Sequence, residues 1–487
     1  LRFRHGLIRE VAYEGLSFRR RREVHLRVGR ALERSRAAGP DLLSTHFHHA
    51  AAYDRSWTYS TQAGRDAKDK SANVEAANFF GRALEASRHL PGVPTDEIAE
   101  VAEALGDVSE LDGRYDIALA AYRRARAMRE ELLDEVRLMR KEGLAHERAG
   151  RYKAALQRWT RARHMLDEAR PGPKVASELA MLQLEASGVR HRQGRYEQQV
   201  SEALDALDRA RQAHDRASMA RAYYLLESGY AVLGRPEAVE YREAPLQIYS
   251  ELGDDIGRAN VLNNLGVTAQ EEGRWDEADR FWAESSRAFE RAGDVVGAAT
   301  SSMNRGELLS DLGRFDESRD LLTEVLQSFR SARYAWGVGY ATGLLGHVEA
   351  RAGRPDLGLE ILDEAVERCR SIGAGGVECY FAIRSVDALV RSGRPADAVT
   401  AASTVSTRPE VVEDPVLSTQ LQRYRGQAER LLGRVDDALA DADAAIATAE
   451  HLGLTYELGR ALVLRADCLS DLGRPEESRP ARDRGLG

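Results

Sequence analysis

Residues 253–294 read GDDIGRANVLNNLGVTAQEEGRWDEADRFWAESSRAFERAGD, and this stretch decides the fold. It holds two segments of helical composition, rich in Ala, Leu, Arg and Glu, with apolar residues three and four positions apart. Gly273-Arg-Trp275 separates the two segments, and Gly-Asp pairs at Gly253 and Gly293 bound them. The stretch therefore predicts a hairpin of two helices, with its corner at Gly273 and an acidic cap at the start of each new unit.

The Gly-Arg corner recurs along most of the chain, in general followed by an aromatic residue or by Pro. From Gly273 onward the spacing between corners is 40 residues every time. A fixed period of this length is typical of stacked supersecondary units. The ten markers begin at Gly113, Gly150, Gly194, Gly234, Gly273, Gly313, Gly353, Gly393, Gly433 and Gly473.

The residue types around each marker explain the corner. Gly can adopt the left-handed conformation that ends a helix, and Pro suits the first position of the next one. Seven positions before the marker the residue is small in eight of the ten units, which lets two helix backbones approach closely. These residues are Gly106, Gly143, Ser187, Gly266, Gly306, Gly346, Gly426 and Ala466.

This register of small residues resembles the tetratricopeptide consensus, stretched from its usual length to 40 residues. HEAT-like repeats share the length but not the register. The segment from Gly253 to Gly266 is similar to the long tetratricopeptide units of bacterial multidomain regulators. The resemblance covers residues 95–487 and implies an all-α, right-handed superhelical solenoid of about eleven stacked antiparallel helix hairpins.

The domain organisation follows from where the markers lie. Residues 1–50 are predicted to be a helical junction, 51–94 a repeat without a marker, 95–472 the array, and 473–487 a C-terminal cap. Pro245 falls inside a predicted helix, and Pro480 falls where the last helix is expected to fray.

The first segment carries a second resemblance. Phe3, His5, Leu7 and Ile8, followed by Ala12-Tyr13, the arginines Arg19 to Arg22, His25 and Ala31-Leu32-Glu33, resemble the region after the nucleotide-binding core of bacterial signal-transduction ATPases. This implies a cytoplasmic sensor arm of a larger signalling ATPase or transcription regulator, in contact with an N-terminal core outside this sequence. A free-standing adaptor that assembles protein partners is the alternative.

Composition excludes several function classes. The net charge of −8 gives no global attraction for nucleic acid, and no apolar run approaches the length of a membrane span. The three cysteines include no CxxC pair, and no Lys follows a Gly, so no phosphate-binding loop is present. We therefore predict a non-catalytic cytoplasmic protein without a cofactor.

Two local clusters are better explained by structural roles than by ligand binding. His46, His48 and His49 cannot all point to one metal ion from four residues of one helix, so a packing role is favoured. The basic run from Arg19 to Arg22 is interpreted as a solvated helix face or a domain junction.

The functional surface is predicted on the first helix of each repeat, which faces the concave groove if the family register applies. There the groove changes from acidic to basic with aromatic residues, which suits an acidic or carboxylate-bearing protein or peptide partner. Solvated residues on an exposed helix row are the alternative. The predicted groove residues are Arg221, Tyr224, Asn260, Asn263, Tyr340, His347, Arg351, Tyr380, Arg391, Arg423 and Arg430.

Overall fold

A computed structural model describes residues 13–36 and 38–486. Within these ranges the regular structure is helical throughout and contains no strand, which confirms the predicted all-α repeat architecture. No helix in the described ranges combines the length and the apolar character that crossing a bilayer requires. The residues Phe3 to Ala12 of the N-terminal resemblance lie outside the described part.

The chain divides into two compact units between Ala145 and His146, inside the helix Leu132–Arg148. The division lies within the predicted array, where no break in the marker pattern indicates it. The helices of the N-terminal unit are α1 Phe18–Ser35, α2 Pro40–His49, α3 Tyr53–Lys68, α4 Asn73–Ser87, α5 Thr95–Leu111, α6 Tyr115–Arg126 and α7 Leu132–Arg148. Each neighbouring pair from α2 to α6 packs side by side.

The C-terminal unit continues the same helix order. Its helices are α8 Tyr152–Asp167, α9 Pro173–Arg192, α10 Tyr196–Ala213, α11 Arg216–Val232, α12 Ala238–Tyr241, α13 Ala244–Leu252, α14 Asp255–Glu271, α15 Trp275–Ala292, α16 Val295–Asp311, α17 Phe315–Ser331, α18 Ala335–Arg351, α19 Pro355–Ser371, α20 Gly375–Arg391, α21 Pro395–Val405, α22 Pro409–Val412, α23 Pro415–Leu431, α24 Val435–Leu452, α25 Thr455–Asp471 and α26 Pro475–Leu486. We call the helix before each Gly-Arg marker the first helix of its repeat, and the helix after it the second helix.

Every marker glycine adopts the predicted left-handed conformation, with Gly273 at φ 77°. At that corner the Arg274 N–H donates to the carbonyl of Ala269 at 2.7 Å and the Gly273 N–H donates to Gln270 at 3.0 Å. These bonds satisfy carbonyls that the end of α14 leaves open, as in a Schellman motif. The markers therefore end the first helices as predicted.

The predicted acidic caps are present where the sequence supplies a carboxylate. Asp254 accepts from the Gly257 N–H at 2.8 Å, and Asp294 accepts from the Gly297 N–H at 2.9 Å. After Gly373 and Gly453 the cap residues are Ala374 and Leu454, which offer no side-chain acceptor.

Small residues allow the two helices of a hairpin to pack closely. Gly266 lies against the indole of Trp282, which is fully buried, and the Trp282 Nε1–H donates to the Asn263 carbonyl at 3.0 Å. In a later repeat the backbones of Gly346 and Gly358 face each other directly. A larger side chain at these positions would force the paired helices apart.

The array is irregular at two prolines. The second helix expected after Gly234 is split into α12 and α13, and Pro245 lies in the first turn of α13, where its missing N–H is tolerated. The expected fraying at Pro480 is wrong, because α26 continues through this residue to Leu486. Pro480 lies past the first turn of α26, so its missing N–H removes one i→i−4 hydrogen bond there without ending the helix.

Candidate functional site: an inner cavity of the C-terminal unit

The first helices of the C-terminal unit coil far enough for helices distant in sequence to meet. α9 contacts α20, and α14 contacts α25. The Arg192 Nη1–H donates to Tyr334 Oη at 2.9 Å, and the Tyr196 hydroxyl donates to Asp414 Oδ2 at 3.2 Å. One turn of the coil therefore closes onto the next, and the first helices surround an interior space.

The corner glycines also serve as contact points between the turns. A Cβ atom on Gly194 would lie 3.6 Å from the Cα of Gly376 in α20, and one on Gly273 would lie 3.5 Å from Thr455 in α25. The same glycines thus end a helix and permit a close approach one turn later.

A cavity of about 420 Å³ lies inside this closed turn. One wall is a row of aromatic rings contributed by α18 and its neighbours. The Trp336 and Tyr340 ring centroids are 5.0 Å apart, and those of Tyr340 and Tyr380 are 5.6 Å apart in a stacked arrangement. The Trp336 Nε1–H is buried and has no hydrogen-bond partner among the described residues. The wall therefore offers apolar faces and an unused donor.

The opposite wall carries amide side chains from α14 and α16. Asn304 Nδ2 donates to Asn263 Oδ1 at 3.0 Å, and the Tyr224 hydroxyl donates to Asn264 Oδ1 at 3.3 Å. Asn260 Nδ2 donates to the carbonyl of Ile256 at 2.9 Å. Because an amide has several donor and acceptor positions, these bonds leave each Asn with further capacity toward the cavity.

The cations of the cavity wall are already neutralised by carboxylates of the chain. Arg192 lies 2.7 Å from Glu147, and Arg148 lies 3.4 Å from Asp294. Burial opposes the charge on Arg192, yet Glu147 and neighbouring tyrosines raise the pKa of its guanidinium above the ordinary value. The cavity is therefore polar but has little free positive charge.

A second cavity of about 180 Å³ adjoins the first, with Tyr340 and Tyr380 lining both. It is rich in buried ionisable groups. Burial, followed by repulsion from Asp414 and Glu227, raises the pKa of Glu271 to about 8. Glu271 thus holds a proton at neutral pH, which lowers the negative charge of the interior.

The structure places the predicted groove residues in three environments. Six of them, from Arg221 to Tyr380, line the first cavity, and His347 lines the second. Burial lowers the pKa of His347 to about 4, although its Nε2 lies 3.3 Å from Asp387. The six are Arg221, Tyr224, Asn260, Asn263, Tyr340 and Tyr380.

The four remaining arginines bind carboxylates of the chain, three of them in a neighbouring repeat and Arg391 in its own helix. Arg351 donates to Asp311 at 2.7 Å, and Arg391 donates to Asp387 at 2.9 Å. Arg430 donates to Asp471 at 2.5 Å, and Arg423, with no exposed surface, donates to Glu457 at 2.8 Å. These residues lie outside the two cavities.

Sequence reasoning missed several cavity residues. Asn264 and Asn304 occupy equivalent positions 40 residues apart, so the repeat period could have indicated both. Arg192, Tyr334 and Trp336 enter the cavity only because one turn of the coil meets the next, and no local pattern signals that contact.

None of the three cysteines is among the residues that line these two cavities. The three cysteines are buried, and burial raises the pKa of Cys369 and Cys379 to about 12 and that of Cys468 to about 11. Across residues 13–36 and 38–486 no cluster of His, Cys, Asp and Glu has the arrangement of a metal site.

The fold and the site together define a protein built as an array of helical hairpins around an internal cavity. Residues 257–331 match a tetratricopeptide repeat model, and residues 111–164 and 383–453 match a second model with the same description. These three segments therefore carry tetratricopeptide repeats, as the register of small residues predicted. A comparison with curated proteins found no match.

Solved structures are similar to this chain at low sequence identity. The APC/C hetero-tetramer Cut9-Hcn1 is similar with a TM-score of 0.50 and 15% identity, over 96% of this chain and 96% of that one. Aspartyl phosphate phosphatase F from Bacillus subtilis has a TM-score of 0.44 and 11% identity, over 73% and 95% of the two chains. The human IFIT1 dimer with m7Gppp-AAAA has a TM-score of 0.43 and 13% identity, over 80% and 89%.

Proposed function

We infer that this chain is a protein-interaction module whose inner cavity in the C-terminal unit binds a peptide segment of a partner. The observation that carries the inference is the pairing of the aromatic wall at Trp336, Tyr340 and Tyr380 with the amide wall on α14 and α16. Amide side chains can bond the N–H and C=O groups of an extended segment, and aromatic faces cover its side chains. The volume of about 420 Å³ lies within the usual range of ligand pockets.

The character of the preferred segment follows from the charges. Arg148, Arg192 and Arg221 each face a carboxylate of the chain. The cavity therefore does not favour the binding of a strongly charged ligand. A largely uncharged segment with an aromatic or apolar side chain fits the two walls. An acceptor on that segment can take the unused hydrogen bond of Trp336 Nε1.

Gly188 provides a direct test. It lies in α9 on the cavity wall, and a Cβ atom there would meet only Arg221 Nη2, at 3.8 Å. Gly188→Phe should fill the cavity without disturbing helix packing, whereas Gly188→Ala should leave it open. Peptides selected from a displayed library of random 12-residue sequences should lose at least tenfold affinity for Gly188→Phe and keep it for Gly188→Ala.

The selected peptides should also change the emission of Trp336, and the change should vanish in Trp336→Phe. Thermal melts of both Gly188 variants check that they fold. The inference is wrong if every selected peptide binds Gly188→Phe as tightly as the unmodified chain. Binding of a small molecule in place of any peptide, blocked by Gly188→Phe, would reassign the cavity to an effector.

The regulatory arm of a larger signalling ATPase is the more specific form of this function. It is supported by the described part of the N-terminal resemblance, in which α1 exposes 81% of Phe18 beside Arg19 and Arg20. Such a face suits contact with another domain. The gene sequence upstream of Leu1 tests it, because a phosphate-binding loop there supports the arm and its absence favours the free-standing adaptor.

A further inference from the structure

A separate cleft lies on the other side of the hairpins, along the second helix α8. One stripe of α8, at positions three and four apart from Lys153 to Glu168, forms its length, and Arg190 and Arg195 at the next corner form its edge. The cleft has a volume of about 750 Å³ and is open to solvent. At 1.5 Å per residue the stripe is about 22 Å long.

The charge of this helix departs from the rest of the array. The residue three positions after the marker is acidic in eight of the ten repeats, it is Ala396 in one, and it is Lys153 here. An acidic residue at this place stabilises the helix N-terminus through the helix dipole, whereas Lys opposes it. α8 has no acidic residue in its first turn. Lys153 therefore departs from a local rule that eight of the ten repeats keep, as residues at functional sites do.

The basic groups of the cleft are available to a ligand. Lys153 and Arg161 are exposed, and neither forms an ion pair within the described ranges. Arg190 forms an ion pair with Glu202, with Nε 3.5 Å from Oε1. In a chain of net charge −8 this is a local positive surface, and it attracts anionic groups.

The floor of the cleft is apolar. Leu156 and Met165 are half-buried in the stripe between the basic residues. Met adapts its shape to different partners, which is common at binding surfaces. A bare polyanion would contact the cations and leave these two side chains uncovered.

We propose that the cleft along α8 binds an acidic peptide segment that also carries apolar side chains. Its carboxylates would meet Lys153, Arg161 and Arg195, and its apolar side chains would cover Leu156 and Met165. The site is independent of the inner cavity and shares no lining residue with it. An acidic partner, predicted for the concave groove, thus finds free cations on the opposite side of the hairpins.

The test selects peptides from the random 12-residue library on the full chain. Peptides that also bind the double variant Lys153→Glu, Arg161→Glu are first removed from the library. Lys174→Glu is the matched control, because Lys174 is an exposed Lys in the first turn of α9 and lies outside the cleft. Selected peptides should be acidic with apolar residues, should bind the double variant at least tenfold more weakly, and should bind Lys174→Glu unchanged. Gly188→Phe should not affect them.

Stability separates a binding role from a structural one. Since a carboxylate favours the helix N-terminus, Lys153→Glu should keep or raise the melting temperature while it weakens peptide binding. The proposal is overturned if no acidic peptide survives depletion, or if survivors bind the double variant normally. It is also overturned if a 12-nucleotide oligouridylate binds the cleft more tightly than any selected peptide.

Discussion

Gly266 shows how a single residue sets the spacing of a hairpin. A Cβ atom at this position would lie 2.5 Å from Nε1 of Trp282, which is closer than real side chains approach. Trp282 is fully buried and its Nε1–H bonds the Asn263 carbonyl, so the indole cannot move aside without losing that bond. We therefore expect Gly266→Ala to lower the free energy of unfolding by about 1–3 kcal/mol, measured by urea denaturation.

Gly188→Ala is the control for this substitution. Both glycines lie inside first helices, and Ala at an unhindered helical site should raise stability by about 0.5–1 kcal/mol. The two variants should thus shift the urea midpoint in opposite directions. Equal shifts would show that helix propensity, and not contact with Trp282, governs position 266.

Single residues also show which features could not be predicted from the sequence. The register correctly indicated that Arg351 and Arg391 lie on first helices, but not that Asp311 and Asp387 would take up their hydrogen bonds. Arg351 and Asp311 lie 40 residues apart, at equivalent positions of neighbouring repeats. A basic position in one repeat can therefore neutralise an acidic one in the next, and reading each repeat alone overstates the free charge.

At the scale of elements, α1 and α2 meet through histidines. His25 Nδ1 lies 3.1 Å from His46 Nδ1, and the rings of His25 and His49 are 4.9 Å apart. Burial first, and then repulsion from the other histidines, lowers the pKa of His25, and the pKa values of His46 and His49 are lowered in the same direction. For His49 the second cause is Arg82 of α4.

These shifts make the contact between α1 and α2 sensitive to acid. A histidine whose pKa is lower in the folded state takes up protons more readily when α1 is released. The stabilising contribution is therefore complete above the unfolded pKa of about 6.5 and is lost as the pH falls below it. Hydrogen exchange of the α1 amides, corrected for intrinsic rates, should show less protection at pH 5 than at pH 7.

His46→Gln should reduce that loss, because Gln can still hydrogen-bond His25 but takes up no proton. His451→Gln, at an exposed position on α24, serves as the control and should leave the response of α1 unchanged. An equal loss of protection in all three proteins would assign the acid response to other groups.

At the scale of the whole molecule, each of the two units must be considered by itself. For the C-terminal unit the period, the corners and the small residues were readable from sequence because each depends on neighbours within 40 residues. The closure of the coil depends on pairs such as Tyr196 with Asp414 and Arg192 with Tyr334, which are 218 and 142 residues apart. No short-range pattern specifies how much each hairpin rotates relative to the next, so the cavity could not be predicted.

Closure changes how this unit should unfold. A simple repeat array gains stability only from nearest neighbours, so its ends can unfold separately. Here Tyr196, Tyr334 and Tyr456 each bond a residue in a distant helix, with Tyr456 Oη 3.4 Å from Asp311. These bonds couple the unfolding of α9 to that of α18, of α10 to that of α23, and of α16 to that of α25.

Replacing the three tyrosines with Phe should remove the bonds between turns and leave each hairpin intact. We expect unchanged helix content by circular dichroism, faster hydrogen exchange at the Gly194 corner and in α20, and a less steep urea transition, because the turns no longer unfold together. Tyr241→Phe is the control, since that ring stacks on Tyr223 and its hydroxyl bonds no described residue. If exchange rises equally throughout α9 to α25, the hydroxyls stabilise individual hairpins, and the closed turn that forms the cavity is held by backbone contacts such as Gly194 against Gly376.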